Sequence, residues 1–201
     1  MDLDATFRPI VAIGFFTIIA IALPFRIKSQ STGERLDRTQ EGIFTMIALR
    51  AAGLVLWASV ISYLFRPGTM RWSSLPLPAQ VRWGGAALAA LTAVLLIWTL
   101  VSLGRNLTDT VVTRQAHTLV MRGPYQWVRH PFYDCMFLFM IGTSLMMANW
   151  FVLLSGLVVF AILAARSHTE EQKLLERFGE PYRAYRAATG RFLPKVGRAS
   201  D

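Results

Sequence analysis

Apolar residues along this chain gather into five runs separated by polar, mostly basic stretches. That alternation predicts an all-α integral membrane protein. The runs extend from about Arg8 to Phe25, Gly42 to Phe65, Trp83 to Leu103, Phe132 to Met147 and Trp150 to Ala165. Each of the first three approaches or exceeds the roughly 20 residues a helix needs to cross a hydrocarbon core about 30 Å thick. The last two are shorter, and only Ala148 and Asn149 lie between them, so they should form a tight helical hairpin. Five transmembrane helices are expected. A re-entrant hairpin made from the last two runs, leaving three crossings, stays open as an alternative.

The fifth run should not stop at the membrane surface. Residues 150–178 contain no Pro, and Gly156 is their only Gly. A helix of that length measures about 43 Å at 1.5 Å per residue, so its end from Arg166 to Phe178 should project into the cytosol. Gly179 supplies a stop, and Pro181 suits the first turn of a short helix through Ala188. Gly190 and Pro194 should end the ordered part, and the remaining tail reads as frayed. Residues 1–104 then carry helices one to three. Residues 105–201 carry the functional core, and both belong to one structural domain. No basic stretch precedes the first run, which reads as a retained helix rather than a signal peptide.

Composition sharpens this picture. The chain has 201 residues, of which 54% are hydrophobic and 16% charged, more apolar than a soluble domain usually is. Its net charge of +9 sits in short loops. Sixteen Lys and Arg fall in residues 26–41, 105–131 and 166–201, against four on the other side: Arg8, Arg66, Arg71 and Arg82. That split places the N-terminus outside and the C-terminus in the cytosol. It also explains the basic balance better than a nucleic-acid partner would. A single cysteine, Cys135, excludes an intrachain disulfide.

The polar stretch HTLVMRGPYQWVRHPFY, His117 to Tyr133, lies between two membrane runs and concentrates His, Arg, Tyr and Pro. Part of it is explained by a helix start. Pro131 suits the first helical position, and Asp134 favours the positive end of the helix dipole. Arg129, His130, Tyr133 and Tyr125 are not explained that way. Arg166 and Glu170 are four apart on the projecting helix and share a face, where an exposed ion pair is the plain alternative. Glu171 points about 100° away and reads as solvated, as does His168. The three His lack the spacing of a metal site, so no metal is expected. No G-x-S-x-G, P-loop or G-x-G-x-x-G occurs.

Two ordered blocks carry a resemblance. They are G-x-Y-x-x-x-R-H-P-x-Y at 123–133 and E-E-x-x-L-x-x-x-F-G-x-x-Y-x-x-Y at 170–185. Over residues 103–194 the chain resembles the isoprenylcysteine carboxyl methyltransferase family, which is similar in its C-terminal half to the phospholipid N-methyltransferases. The resemblance implies S-adenosylmethionine as cofactor, held at the cytosolic face. It implies cofactor contacts at His117, Thr118, Leu119, Val120, Tyr125, His130, Pro131, Phe132, Tyr133 and Glu170. It places Arg166, Glu170 and Tyr133 in catalysis, with Arg166 handling the acceptor's reacting group. Where the family usually has Gly two residues after Tyr133, this chain has Cys135, which would narrow the space beside the fourth helix.

The chemistry of those residues agrees. Glu170 can accept from the cofactor's ammonium, Arg or His can donate to its carboxylate, and aromatic groups can flank adenine. Methyl transfer needs an aligned nucleophile about 3 Å away in a site that excludes water. Arg166 favours a carboxylate nucleophile over an amine. The expected activity is methyl transfer to a lipophilic small molecule or lipid at the membrane surface, as O-methylation of a carboxylate. The alternatives are N-methylation of a phospholipid amine and a non-catalytic membrane scaffold.

Overall fold

The computed structural model describes residues 3–30, 43–104 and 118–195. Among them helix is the only regular element, joined by turns and short irregular stretches with isolated bridges. Five apolar helices follow in the expected order: α1 (Leu3–Gln30), α2 (Ile43–Phe65), α3 (Ala79–Leu103), α4 (Pro131–Met147) and α5 (Trp150–Phe178). A short polar helix, α6 (Glu180–Ala188), closes the series. Helices α1, α2, α3 and α5 are long and apolar enough to span a bilayer. Helix α4 has 17 residues, about 26 Å at 1.5 Å each, which falls short of a full core taken alone.

The outward faces are those of a protein in lipid. Phe16, Leu54, Leu91 and Val94 are each 62–70% exposed, and such continuous apolar surface would not survive in water. Helix α1 runs through Pro24, where the sequence suggested an end, and reaches Gln30. Proline is tolerated in bilayer helices because neighbours and local adjustment satisfy the freed carbonyls.

Small residues set the closest helix contact. A Cβ on Gly85 of α3 would lie 2.7 Å from the Gly142 carbonyl oxygen of α4, and one on Gly142 would lie 2.8 Å from that of Gly85. Two backbones that touch leave no room for side chains, so glycine is required on both sides. Nearer the polar end of the bundle, Cys135 is fully buried against Leu96 and Leu100 of α3, 3.8 Å from Thr99 Oγ1. Its side chain fills the α3–α4 seam.

At the opposite end, Arg82 is 4% exposed in the first turn of α3. Its Nε donates to the Met146 carbonyl at 2.8 Å, and its Nη2 donates to Asp4 at 2.7 Å and to Tyr63 Oη at 3.2 Å. The ring of Phe7 lies 4.5 Å beneath the guanidinium. Arg82 therefore joins α1, α2, α3 and α4, and is not the loop charge its position in the sequence suggested. The α4–α5 turn uses Ala148 at φ +47°, and Asn149 caps α5 by accepting from Val152 N at 3.1 Å. Its Nδ2 donates to the Ser73 hydroxyl at 2.8 Å, which ties the α2–α3 connection to this turn.

Candidate active site at the polar end of the bundle

The last four turns of α5 leave the apolar bundle, and three elements close around them. The first is the stretch from Thr118 to His130, with a tight turn at Gly123–Gln126. Gly123 has φ +61°, and a Cβ there would meet Ser102 and Trp98 of α3. The turn is thus seated against the end of α3, with Arg122 Nε donating to the Ser102 carbonyl at 3.3 Å. The second element is α6, started after Gly179 at φ +57°. The third is the segment 189–195.

Loop and C-terminal segment are laced together by backbone bonds. Gly190 N donates to the Trp127 carbonyl at 3.2 Å, Arg129 N to the Gly190 carbonyl at 2.9 Å, and His130 N to the Arg191 carbonyl at 3.1 Å. Tyr185 Oη adds a 2.7 Å bond to the Tyr125 carbonyl. Burial pushes the Tyr185 phenol up to about 12, so it stays a donor across the ordinary pH range.

Against this frame Tyr133, in the first turn of α4, donates to Glu170 Oε1 at 2.7 Å. Arg166 Nε stands 3.5 Å from the same oxygen, and His130 Nδ1 lies 3.6 Å from Glu170 Oε2. The His130 and Tyr133 rings stack at 5.4 Å with 13° between planes. Tyr125 is buried beside them. Burial raises its phenol pKa above the usual range, and the negative potential of Tyr185, Cys135 and Glu170 adds to that. From His130 the rings of Phe192, Phe160 and Phe137 follow one another at centroid distances of 5.7, 5.3 and 4.2 Å. They lead from the polar cluster into the α4–α5 seam.

The structure thus gathers Tyr125, His130, Tyr133, Arg166 and Glu170 at one end of the bundle. Pro131 is buried at the first position of α4. Phe132 turns away and packs on the Leu96–Leu100–Cys135 cluster with Ile18 and Phe25 of α1. Thr118 is exposed, and Leu119 and Val120 are half-buried on the approach to Gly123. His117 lies outside the described residues. Among those described, no group of three His, Cys, Asp or Glu side chains converges to hold a metal.

Glu171 is the residue sequence reasoning misread. It is 2% exposed, not solvated. It accepts from Arg129 Nε at 2.8 Å and from Arg191 at 3.1 and 3.2 Å, and His130 Nε2 lies 3.2 Å away. Arg186 stands 3.7 Å off. Burial alone would raise this carboxyl's pKa. The hydrogen bonds from His130, Arg129 and Arg191 outweigh that and hold it well below the usual carboxylate range. His168, by contrast, is exposed.

A membrane-embedded helical bundle with a compact charged and aromatic cluster at one end is the class this geometry defines. Within that class, a model of the isoprenylcysteine carboxyl methyltransferase (ICMT) family matches residues 85–176. The chain is 32% identical over 100 residues to a protein-S-isoprenylcysteine O-methyltransferase of Schizosaccharomyces pombe, covering 48% of this chain and 42% of that protein. It is 35% identical over 96 residues to the protein of that name from Homo sapiens, covering 46% and 34%. A solved structure of the eukaryotic intramembrane Ras methyltransferase ICMT superposes with TM-score 0.53 at 26% identity, over 75% of this chain and 52% of that one. The resemblance read from the two motif blocks therefore holds in sequence and in fold, for an integral membrane protein. The matched region spans less than half the length of either of those two relatives.

Proposed function

We propose that the chain is a membrane methyltransferase that uses S-adenosylmethionine to methylate a carboxylate on a lipophilic acceptor. One observation supports this most: Glu170, Tyr133, His130 and Arg166 converge where a polar cluster meets a run of aromatic rings leading into the α4–α5 seam. The donor set fits the cofactor: Glu170 is a carboxylate at 18% exposure, able to accept from an ammonium. Bound there, the cofactor would supply a methyl group on an electron-poor sulfonium. The chain's own part is to orient and to exclude water. Arg166, 9% exposed, would steer an acceptor carboxylate by charge-assisted hydrogen bonds, and Phe192, Phe160 and Phe137 would seat its apolar portion.

The two curated relatives described above are named for O-methylation of S-isoprenylcysteine, which favours a carboxylate over a phospholipid amine. A cationic Arg166 beside the site is also a poor neighbour for an amine nucleophile. We further propose five crossings with the N-terminus outside and the site cytosolic, and a single domain in which residues 1–104 scaffold residues 105–201. The experiment is transfer of label from radiolabelled S-adenosylmethionine to membrane lipid extracts, with mass identification of the product. Label should appear in an apolar, base-labile ester. Label in an amine headgroup would overturn the O-methylation reading, and no cofactor binding at all would leave a non-catalytic scaffold.

A further inference from the structure

Glu171 lies next to Glu170 in sequence, yet its carboxylate faces a different set of partners. It grips both the stretch before α4 and the segment after α6. Arg129 and His130 belong to the stretch before α4, and Arg191 to the segment after α6. Arg129 is held further by the Thr189 and Arg186 carbonyls. His130 stands between the two glutamates, 3.2 Å from Glu171 and 3.6 Å from Glu170. Its ring is stacked on Tyr133, the hydroxyl donor to Glu170. Phe192, next to Arg191, also packs against His130.

We infer that Glu171 is a positioning residue for the methyl-donor site: by gathering Arg129, His130 and Arg191 it fixes the imidazole that, with Tyr133, aims Glu170. This rests on the methyltransferase reading above. A buried carboxylate with one cationic neighbour would be a simple staple. Here the same group gathers two guanidinium groups from separate segments and one imidazole, and that imidazole borders the residue proposed to hold the ammonium. Without Glu171, Arg129 and Arg191 would repel one another beside His130. The ring would lose its in-plane anchor, and Glu170 would keep Tyr133 but not a fixed orientation.

The test is calorimetric titration of S-adenosylmethionine into the purified full chain in detergent. The variants are Glu171→Gln, Glu171→Asp and, as a matched structural control at the other end of the bundle, Asn149→Ala. Glu171→Gln should lose at least tenfold in affinity, and Glu171→Asp should recover part of it. Asn149→Ala should lower Tm while leaving affinity unchanged. Affinity of Glu171→Gln within twofold of the unsubstituted protein, or a loss no larger than that of Asn149→Ala, overturns the inference. If Glu171→Gln does not fold, Arg191→Gln removes two of the bonds from a partly exposed position. It should lower affinity three- to tenfold, and unchanged binding there overturns the inference equally. Failure of the unsubstituted protein to bind overturns the underlying methyltransferase reading as well.

Discussion

Gly84 and Gly85 are adjacent on α3, yet the same substitution should have opposite effects at the two positions. A Cβ on Gly84 meets nothing within 4 Å, so Ala gains about 0.8–1 kcal/mol in helix propensity without opposition. A Cβ on Gly85 meets the Gly142 carbonyl oxygen and Leu145 Cβ at 2.7 Å and Met146 N at 3.0 Å. Two of those three atoms are backbone, so no rotamer change relieves the clash and α3 must move away from α4. Overpacking of this kind costs roughly 1–3 kcal/mol or somewhat more, and the separation also weakens the close contact along the seam. The propensity gain is common to both variants, so they should differ by the overpacking cost, about 1–3 kcal/mol, or roughly 2–12 °C in Tm for a chain of this size. The assay is thermal unfolding of Gly84→Ala and Gly85→Ala in the same detergent, followed by helical signal and by loss of solubility. Equal Tm values would mean that the α3 and α4 backbones do not touch at this point, and the account of the seam would fail.

Arg166→Ala should lower turnover on the true acceptor by about a hundredfold while cofactor affinity stays within a few fold; normal turnover would remove Arg166 from the mechanism. Arg82→Met should cost about 1–3 kcal/mol, less than a fully buried pair because Asp4 is 43% exposed. Cofactor affinity per folded molecule should not change, and a parallel loss of binding would contradict the separation of the two ends. The hydrogen-bonded Glu171 contributes stability that is complete above the unfolded-state pKa of about 4.3. It is lost as pH falls through and below that value toward the depressed folded one. The Tm gap between the unsubstituted protein and Glu171→Gln should accordingly stay level above about pH 5 and narrow as pH falls from there toward about pH 3; a constant gap across that lower range would refute the charge assignment.

Much of the helical order is visible in hydrophobic runs, because a bilayer forces apolar length into the sequence. The overshoot of α5, the stop at Gly179 and the restart before Pro181 follow from local rules and appear as expected. Helix α1 extends further than its apolar run, since Pro24 can be absorbed in a lipid-embedded helix. Within the site, the resemblance implied that the two motif blocks meet, while the bond from Tyr133 to Glu170 came only with the structure. Glu171 was not legible by the same means. Its angle on the helix suggested solvent, and its partners Arg129 and Arg191 lie 42 and 20 residues away, with no periodic signal linking them. The available hint was electrostatic. Arg129, Arg186 and Arg191 cluster in two short polar segments that needed a buried anion. Arg82 was misplaced for a related reason, because α3 begins at Ala79 and turns an apparent loop charge inward.

The interlacing of residues 127–130 with residues 190–191 has a consequence for biogenesis. Helices can enter the bilayer one after another as the chain is made, since each satisfies its own backbone. The residues that lock the charged cluster arrive after all of them. A nascent chain halted after α5 would be inserted yet lack the closed cluster, which would form only when the segment carrying Gly190 and Arg191 folds back onto helices already in place.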